Sequence, residues 1–323
     1  MTPIEPITSI QEPKFSVVVC AYTDARKELL TMCIGAIFQQ LSSEDELIVV
    51  IDHNDALLEE VSMQYESLAT VVPNTNKQGL CGARNSGVEA ASRSVVAFVD
   101  DDAQVESGWL DGLRRHYRDP AVVGVGGSAY PVWPGARPSW FPREFDWVVG
   151  CSHRGLPVDV SPVRNLLGCN MSFRRSALTQ VGGFSTKIGQ VGATLVRCDE
   201  TELCIRLKQS SNVSRLLLDP RIVVRHWVSN DRATVMYFLK RCFFEGLSKH
   251  RLSTMVGSSD ALSAERSYVA TILPIALARG LTGTMSARGE RLEHLAQITA
   301  LVIGLTATAG GYIYSLLHSP IQR

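Results

Sequence analysis

A chain of 323 residues with 45% apolar content is long enough to bury one large core or two ordinary ones. Its 32 Lys and Arg balance 32 Asp and Glu, so no net field draws it to nucleic acid, and charge can act only through local patches. Eight scattered cysteines without a CxxC pair, several inside apolar runs, read as buried free thiols in a reducing compartment.

Met1 to Pro13 is an acidic, proline-containing extension that lacks the basic start and apolar stretch of a secretory signal. The body of the chain is therefore expected in the cytoplasm. Phe15 to Tyr22 (FSVVVCAY) predicts a first buried strand, with Thr23-Asp24 as a helix cap. The helix beyond places Leu30, Cys33, Ile34, Ile37, Phe38 and Leu41 on one face, completing a βα unit. Glu46 to His53 (ELIVVIDH) repeats the strand pattern and ends on Asp52, with Asn54 and Asp55 just beyond. Ala69 to Pro73 predicts a short third strand. Asn76 to Gly87 reads as a glycine-punctuated loop leading into a helix through Ala91, with Arg84 placed to meet an anion near a helix start. No GxGxxG follows the first strand and no GxxxxGK[ST] occurs, which argues against dinucleotide and P-loop chemistry.

Val95 to Val99 is a continuous apolar run, the mark of a strand covered on both faces, and it stops at three adjacent carboxylates, Asp100, Asp101 and Asp102. In extended chain Asp100 and Asp102 share one side and Asp101 the other. The pair could hold a hard divalent cation with a diphosphate, at the strand ends where open α/β sheets bind ligands. The alternative is a helix cap or turn that tolerates acids. Three like charges together, however, need a cation or an arginine to offset them.

The ordered set FSVVVCAY, VVIDHND, Gly79 with Ala83-Arg84-Asn85-x-Gly87, and Phe98-Val99-Asp100-Asp101-Asp102 resembles family 2 glycosyltransferases. The resemblance spans about Phe15 to Arg251. It implies an α/β fold of the GT-A nucleotide-diphospho-sugar transferase type, a Rossmann-like mixed sheet flanked by helices. It also implies that Ala21, Tyr22, Asp52, Arg84, Asp100 and Asp101 bind the nucleotide sugar, UDP- or GDP-linked. Asp102 and Asp100 would hold a divalent cation, Mn or Mg. The usual Tyr-Asn after the first strand is Tyr22-Thr23 here.

Downstream, Ser107 to Tyr117 predicts a helix with Trp109, Leu110 and Leu113 inward, and Val122 to Gly126 a strand. Trp133, Pro134, Pro138, Trp140, Phe141, Pro142 and Trp147 crowd one irregular segment, since helices and central strands exclude that density of proline. Its aromatics suit an acceptor groove, a membrane-facing rim, or a small satellite core. Gly168 to Arg175 with Gly182-Gly183-Phe184 resembles the family's second block, which shapes the donor-sugar site. Ile188 to Arg197 has little pattern and reads as a mobile lid.

Cys198-Asp199-Glu200-Thr201-Glu202-Leu203 puts three acids in a first helical turn, which the helix dipole alone would favour. Its order resembles the family's acidic pair, in which the second member is the general base. Position for position that is Glu200 with Asp199 beside it, although the family usually has Glu before Asp. Arg221 to Val228 reads as a strand on which a lone histidine is ordinarily structural. The resemblance instead makes His226 a third metal ligand.

Arg232 to His250 is an amphipathic helix, suited to an anionic membrane surface or to capping the domain with its apolar face inward. Tyr268 to Leu281 contains Pro274 and Arg279 and suits an interfacial helix. Leu295 to Leu317 carries no Asp, Glu, Lys or Arg, is long enough to cross a bilayer and is expected to be a transmembrane helix, with Arg288, Arg291 and His294 marking a cytoplasmic start. The expected organisation is an extension over 1–13, a glycosyltransferase domain over 14–251 and a membrane-associated helical tail over 252–323.

The expected function is inverting, metal-dependent transfer of a sugar from a nucleotide diphosphate to a hydroxyl of a membrane or lipid-linked saccharide, at the cytoplasmic side of the cell membrane. One base and one cation suffice for such a displacement. Glycoside hydrolysis needs two carboxylates across the scissile bond, and the nucleotide-type βα order speaks against it. A sugar-1-phosphate nucleotidyltransferase would want a Gly/Arg-rich signature after the first strand, where Tyr22 to Arg26 supplies none. A non-catalytic nucleotide-sugar-binding scaffold would have no use for the acids.

Overall fold

A computed structural model describes residues 12–186, 197–211, 213–286 and 290–318. Three βα units open the chain: β1 (Phe15–Ala21), α1 (Lys27–Phe38), β2 (Glu46–Ile51), α2 (Asp55–Tyr65), β3 (Thr70–Pro73) and α3 (Leu80–Ala90). They lead into β4 (Val95–Asp100), β5 (Ala103–Val105), α4 (Trp109–His116) and β6 (Val122–Val132). Next come β7 (Ser161–Pro162), β8 (Asn170–Arg174), α5 (Arg175–Val181), α6 (Asp199–Ser210) and β9 (Arg215–Trp227). The remainder is helical: α7 (Val235–Val256), α8 (Ser258–Ala261), α9 (Ser263–Ser267), α10 (Leu273–Ser286) and α11 (Arg291–His318).

The described strands form one mixed sheet in the order β3-β2-β1-β4-β8-β6-β9-β5, with β7 beside β9. β3, β2, β1 and β4 run parallel, and β8 lies antiparallel to both β4 and β6. Strand alternation divides the core into two layers. Val17, Val19, Val49, Ala97 and Val99 face α1, α2 and α4, whereas Val18, Ile48, Val50, Val96 and Phe98 face α3, α5 and α6. Both faces of the central strands are therefore covered, which is why they read as unbroken apolar runs.

A third core joins the aromatic segment to the tail. Phe141, Phe145, Val148 and Val149 bury against Phe238 and Cys242 of α7, Leu273 and Ala276 of α10, and Ala300 and Leu301 of α11, with Trp133, Trp140 and Trp147 packed around them. The satellite-core reading of that segment thus describes most of its aromatics. α7 likewise turns its apolar side inward. α11 docks on α7 backbone to backbone: a Cβ added at Gly311 would meet Phe243 O at 1.8 Å, and one at Gly246 would meet Thr308 O at 1.8 Å.

The segment Asn76–Gly87 departs from the expected loop, because α3 already begins at Leu80. Gly82 and Gly87 are there for packing: Gly82 lies under Lys77 O and Gly87 against Val18. Gly79, at φ 120, supplies the one left-handed turn. Strands β6 and β9 run longer than the patterns Val122–Gly126 and Arg221–Val228 suggested. The lid expected at Ile188 to Arg197 lies outside the described residues except for Arg197.

Candidate active site

The carboxyl ends of β1, β2 and β4 open onto a cleft of about 1070 Å³, whose lining includes Ala21, Tyr22, Asp52, Arg84, Asp100, Asp101, Asp102, Asp199, Glu200 and His226. The residues assigned from the sequence to nucleotide sugar, metal and base therefore reach one cleft, whereas Trp133, Trp140, Phe141 and Phe184 do not line it. β4 ends at Asp100, and the turn behind it returns the chain into β5, which pairs with β9 through Ala103 and His226. That pairing delivers the imidazole to the acids. Ligand atoms of Asp100, Asp102 and His226 lie within 4.8 Å of one another. Two carboxylates and an imidazole form a donor set that suits Mn-type and related divalent ions.

His226 Nε2 lies 3.2 Å from Asp102 Oδ1. Burial opposes both charges, but each stabilises the other: the Asp102 carboxyl is held well below its usual range, with help from Arg26 and Arg232, and His226 is raised well above its own. Arg26, which the sequence reading passed over, places Nη1 2.9 Å from Asp101 Oδ1 and 3.0 Å from Asp102 Oδ2. Asp101 does not point away from its neighbours as strand alternation would have it, because the strand has ended and the turn brings it to the same guanidinium. Burial and the adjacent Asp102 push the Asp101 carboxyl up to about 7 against the pull of Arg26.

Asp52 anchors the loop before α3. Its Oδ2 accepts from Gly79 N at 2.9 Å and its Oδ1 from Asn74 Nδ2 at 2.6 Å. Tyr22 is 46% exposed at the mouth, with Arg26 Cζ 5.7 Å from its ring centroid. His53, beside Asp52, holds a left-handed φ of 52, a local strain of the kind found at binding sites.

Arg84 is 2% exposed and divides its donors among three segments. Nη1 bonds Asp199 Oδ2 at 2.8 Å, while Nη2 bonds Asp100 Oδ1 at 3.3 Å and the Gly168 carbonyl at 3.0 Å. The arginine that the sequence aimed at a nucleotide thus ties the acidic strand end to the acidic helix start. Asp199 is occupied by this ion pair, which leaves Glu200 as the member of the pair without a cationic partner at bonding distance among the described residues. Burial and the neighbouring Asp199 push the Glu200 carboxyl up to about 7, where it can take up a proton near neutral pH. Cys198, directly before α6, is held at φ 96, so this turn too is strained. In the GCN block, Asn170 is fully buried and bonds Trp109 Nε1 and two carbonyls, a scaffolding role.

Beyond the acids, the cleft runs on to a further wall, of which Trp147 belongs to the aromatic segment that suited an acceptor groove. Arg197, Arg241, Glu245, Lys249 and Glu265 line it, followed by Trp147, Tyr268, Ile272, Leu305 and Thr308. Lys249 Nζ bridges Glu245 at 3.2 Å and Glu265 at 2.8 Å, joining α7 to α9.

Comparison with known proteins gives four concordant findings. The family model described as glycosyl transferase family 2 matches residues 16–182. Glucosyl-dolichyl phosphate glucuronosyltransferase of Haloferax volcanii is 30% identical over 307 residues, covering 94% of this chain and 96% of that protein. Among solved structures, a mannosyltransferase from Pyrobaculum calidifontis in complex with GDP-Man and Mn2+ superposes with a TM-score of 0.60 at 18% identity, covering 99% of this chain and 92% of its own. GalNAc-T7 with UDP, GalNAc and Mn2+ superposes at 0.53 and 14% identity over 80% of this chain and 54% of its own.

Proposed function

The chain belongs to glycosyl transferase family 2 and is a glycosyltransferase of GT-A fold, and from that footing we propose that it moves a sugar, with inversion, from a nucleoside diphosphate to a hydroxyl of a lipid-linked saccharide. The convergence of Asp100, Asp102 and His226 with Asp199 and Glu200 in one cleft carries this reading. Glu200 takes the proton from the acceptor hydroxyl, and with a single base the attack displaces the diphosphate from the opposite face. Arg84 fixes Asp199 and so fixes the start of α6 from which Glu200 projects. Asp100, Asp102 and His226 would hold a divalent cation, Mn or Mg, which when bound stabilises the leaving diphosphate. Asp52, Asn74 and Gly79 shape the nucleoside end of the cleft.

The relative's dolichyl phosphate substrate supports a lipid-linked acceptor, and the tail supports a membrane station for the enzyme. α11 spans 28 residues, long and apolar enough to cross a membrane. Its outward residues Leu292, Leu295, Val302, Ile313, Leu316 and Leu317 are each at least half exposed. Because α11 is docked along α7 and lends Leu305 and Thr308 to the cleft, we propose that it lies against the cytoplasmic leaflet with that outward face in the lipid, in place of the bilayer crossing expected from its sequence.

The test is a panel of UDP- and GDP-sugars with Mn2+ or Mg2+, read as thermal stabilisation. One donor should raise the melting temperature of the wild type and not of Asp102→Asn, and the same donor should transfer its sugar to a glycosylated prenyl phosphate. Stabilisation by none of them would sink the reading.

A further inference from the structure

The wall of the cleft holds two guanidinium groups that the transfer step does not use. Arg197 stands just before α6 and Arg241 on the first half of α7, and both line the cleft. The Nε of each is buried without a hydrogen-bond partner among the described residues. Arg241 is 5% exposed. Its Cζ lies 5.6 Å from the Trp147 ring centroid, and its Nη1 is 2.8 Å from Glu245 Oε2. Glu245 is already shared with Lys249, so the local sum of charge stays positive. Burial and the nearby Arg241 hold the Arg197 guanidinium below its ordinary range, as expected for two cations kept together in a poorly hydrated place. Buried unpaired donors are costly, and an anion bound in the cleft that both guanidinium groups line would offset the two charges together.

The surroundings select the anion. On one side Glu245 Oε1, on the ion-pair partner of Arg241, lies 4.0 Å from Cys198 Sγ, in the turn that leads two residues later to Glu200. On the other side the wall turns apolar through Trp147, Tyr268, Ile272 and Leu305, and Leu305 belongs to the stretch of α11 from Leu295 to Leu317 that carries no Asp, Glu, Lys or Arg. A nucleoside diphosphate is polar at both ends and has no chain for such a wall.

We propose that Arg197 and Arg241 form a subsite for the phosphate of the acceptor lipid, with its prenyl chain lying along the apolar wall toward α11. This rests on the transfer reading above and adds that the reacting sugar is bonded directly to that phosphate.

Calorimetry on the full chain, loaded with a nucleoside diphosphate and Mn2+, tests the subsite with geranyl phosphate, geraniol and inorganic phosphate as probes. Geranyl phosphate should bind the wild type, and bind Arg241→Gln and Arg197→Gln at least tenfold more weakly. Geraniol should not distinguish the three proteins, and Arg241→Lys should recover part of the loss. A variant that loses the nucleoside diphosphate instead assigns the guanidinium groups to the donor and overturns the proposal. Inorganic phosphate binding as tightly as geranyl phosphate overturns the lipid assignment. If the wild type transfers sugar to a prenyl-phosphate-linked glucose and both Gln variants keep its KM, the subsite fails while the transfer reading stands. Melting temperatures of the variants serve as the control for folding.

Discussion

Glu200 is a carboxylate whose surroundings make it both useful and costly. Its carboxyl sits at about 7 because burial and Asp199 disfavour the charge. Activity should therefore climb about tenfold per pH unit below 7 and level off above it, measured as kcat against pH at saturating donor. The same shift bears on stability. The unfolded chain ionises near 4.5 while the folded chain keeps its proton up to about 7, so stability is lost as pH rises through that window and the loss is complete above it. Glu200→Gln removes the loss: at pH 8 it should melt higher than wild type, by on the order of 2 kcal/mol in stability, while turnover falls by about 10²–10⁴. A variant that is slower and also less stable at pH 8 would contradict this assignment.

At the scale of elements, the legible parts were those with a short period. The central strands announced themselves as apolar runs because helices cover both faces, and Asp52 and Asp100 could be placed because strand ends define a common edge. The helix ending near Ala91 was legible but its first turns read as loop, because Gly, Asn and Ser carry turn signals whether they turn or pack; only contact with Val18 and Lys77 tells Gly87 and Gly82 apart from hinges. The aromatic segment has no period, and its core forms against helices more than ninety residues away, such as α7. The α7–α11 seam gives a direct prediction. Gly311→Val or Gly246→Val drives a side chain into a backbone carbonyl that cannot swing aside, and should cost about 2–4 kcal/mol and expose α11 to protease. On the opposite side, Leu295→Asp with Ile313→Asp touches no core and should leave the melting temperature near wild type. Binding to anionic vesicles should fall at least tenfold in flotation.

Across the whole molecule, the residues that could be named in advance lie in local motifs, whereas the contacts that join them do not. Arg26 and Asp102 are 76 positions apart, and Arg84 and Asp199 are 115 apart. No window along the chain contains both partners, so sequence could nominate the acids and Arg84 but not which acid each guanidinium holds, and Arg26 not at all. Arg197 and Arg241 escaped notice for the same reason. Removal of divalent ions by a chelator should depress transfer strongly and be reversed by Mn2+ or Mg2+, read in a radiolabelled transfer assay.

Arg84 has one more implication, for how such an enzyme diversifies. A single inaccessible side chain clamps β4, the Gly168 turn and the head of α6, and a lysine, with one point charge, cannot reproduce that three-way grip. A descendant that alters any one of these segments disturbs the other two, so the reacting centre is evolutionarily locked. The distant flank built by α7, α9 and α10 carries no such constraint, and novelty in what receives the sugar should accumulate there.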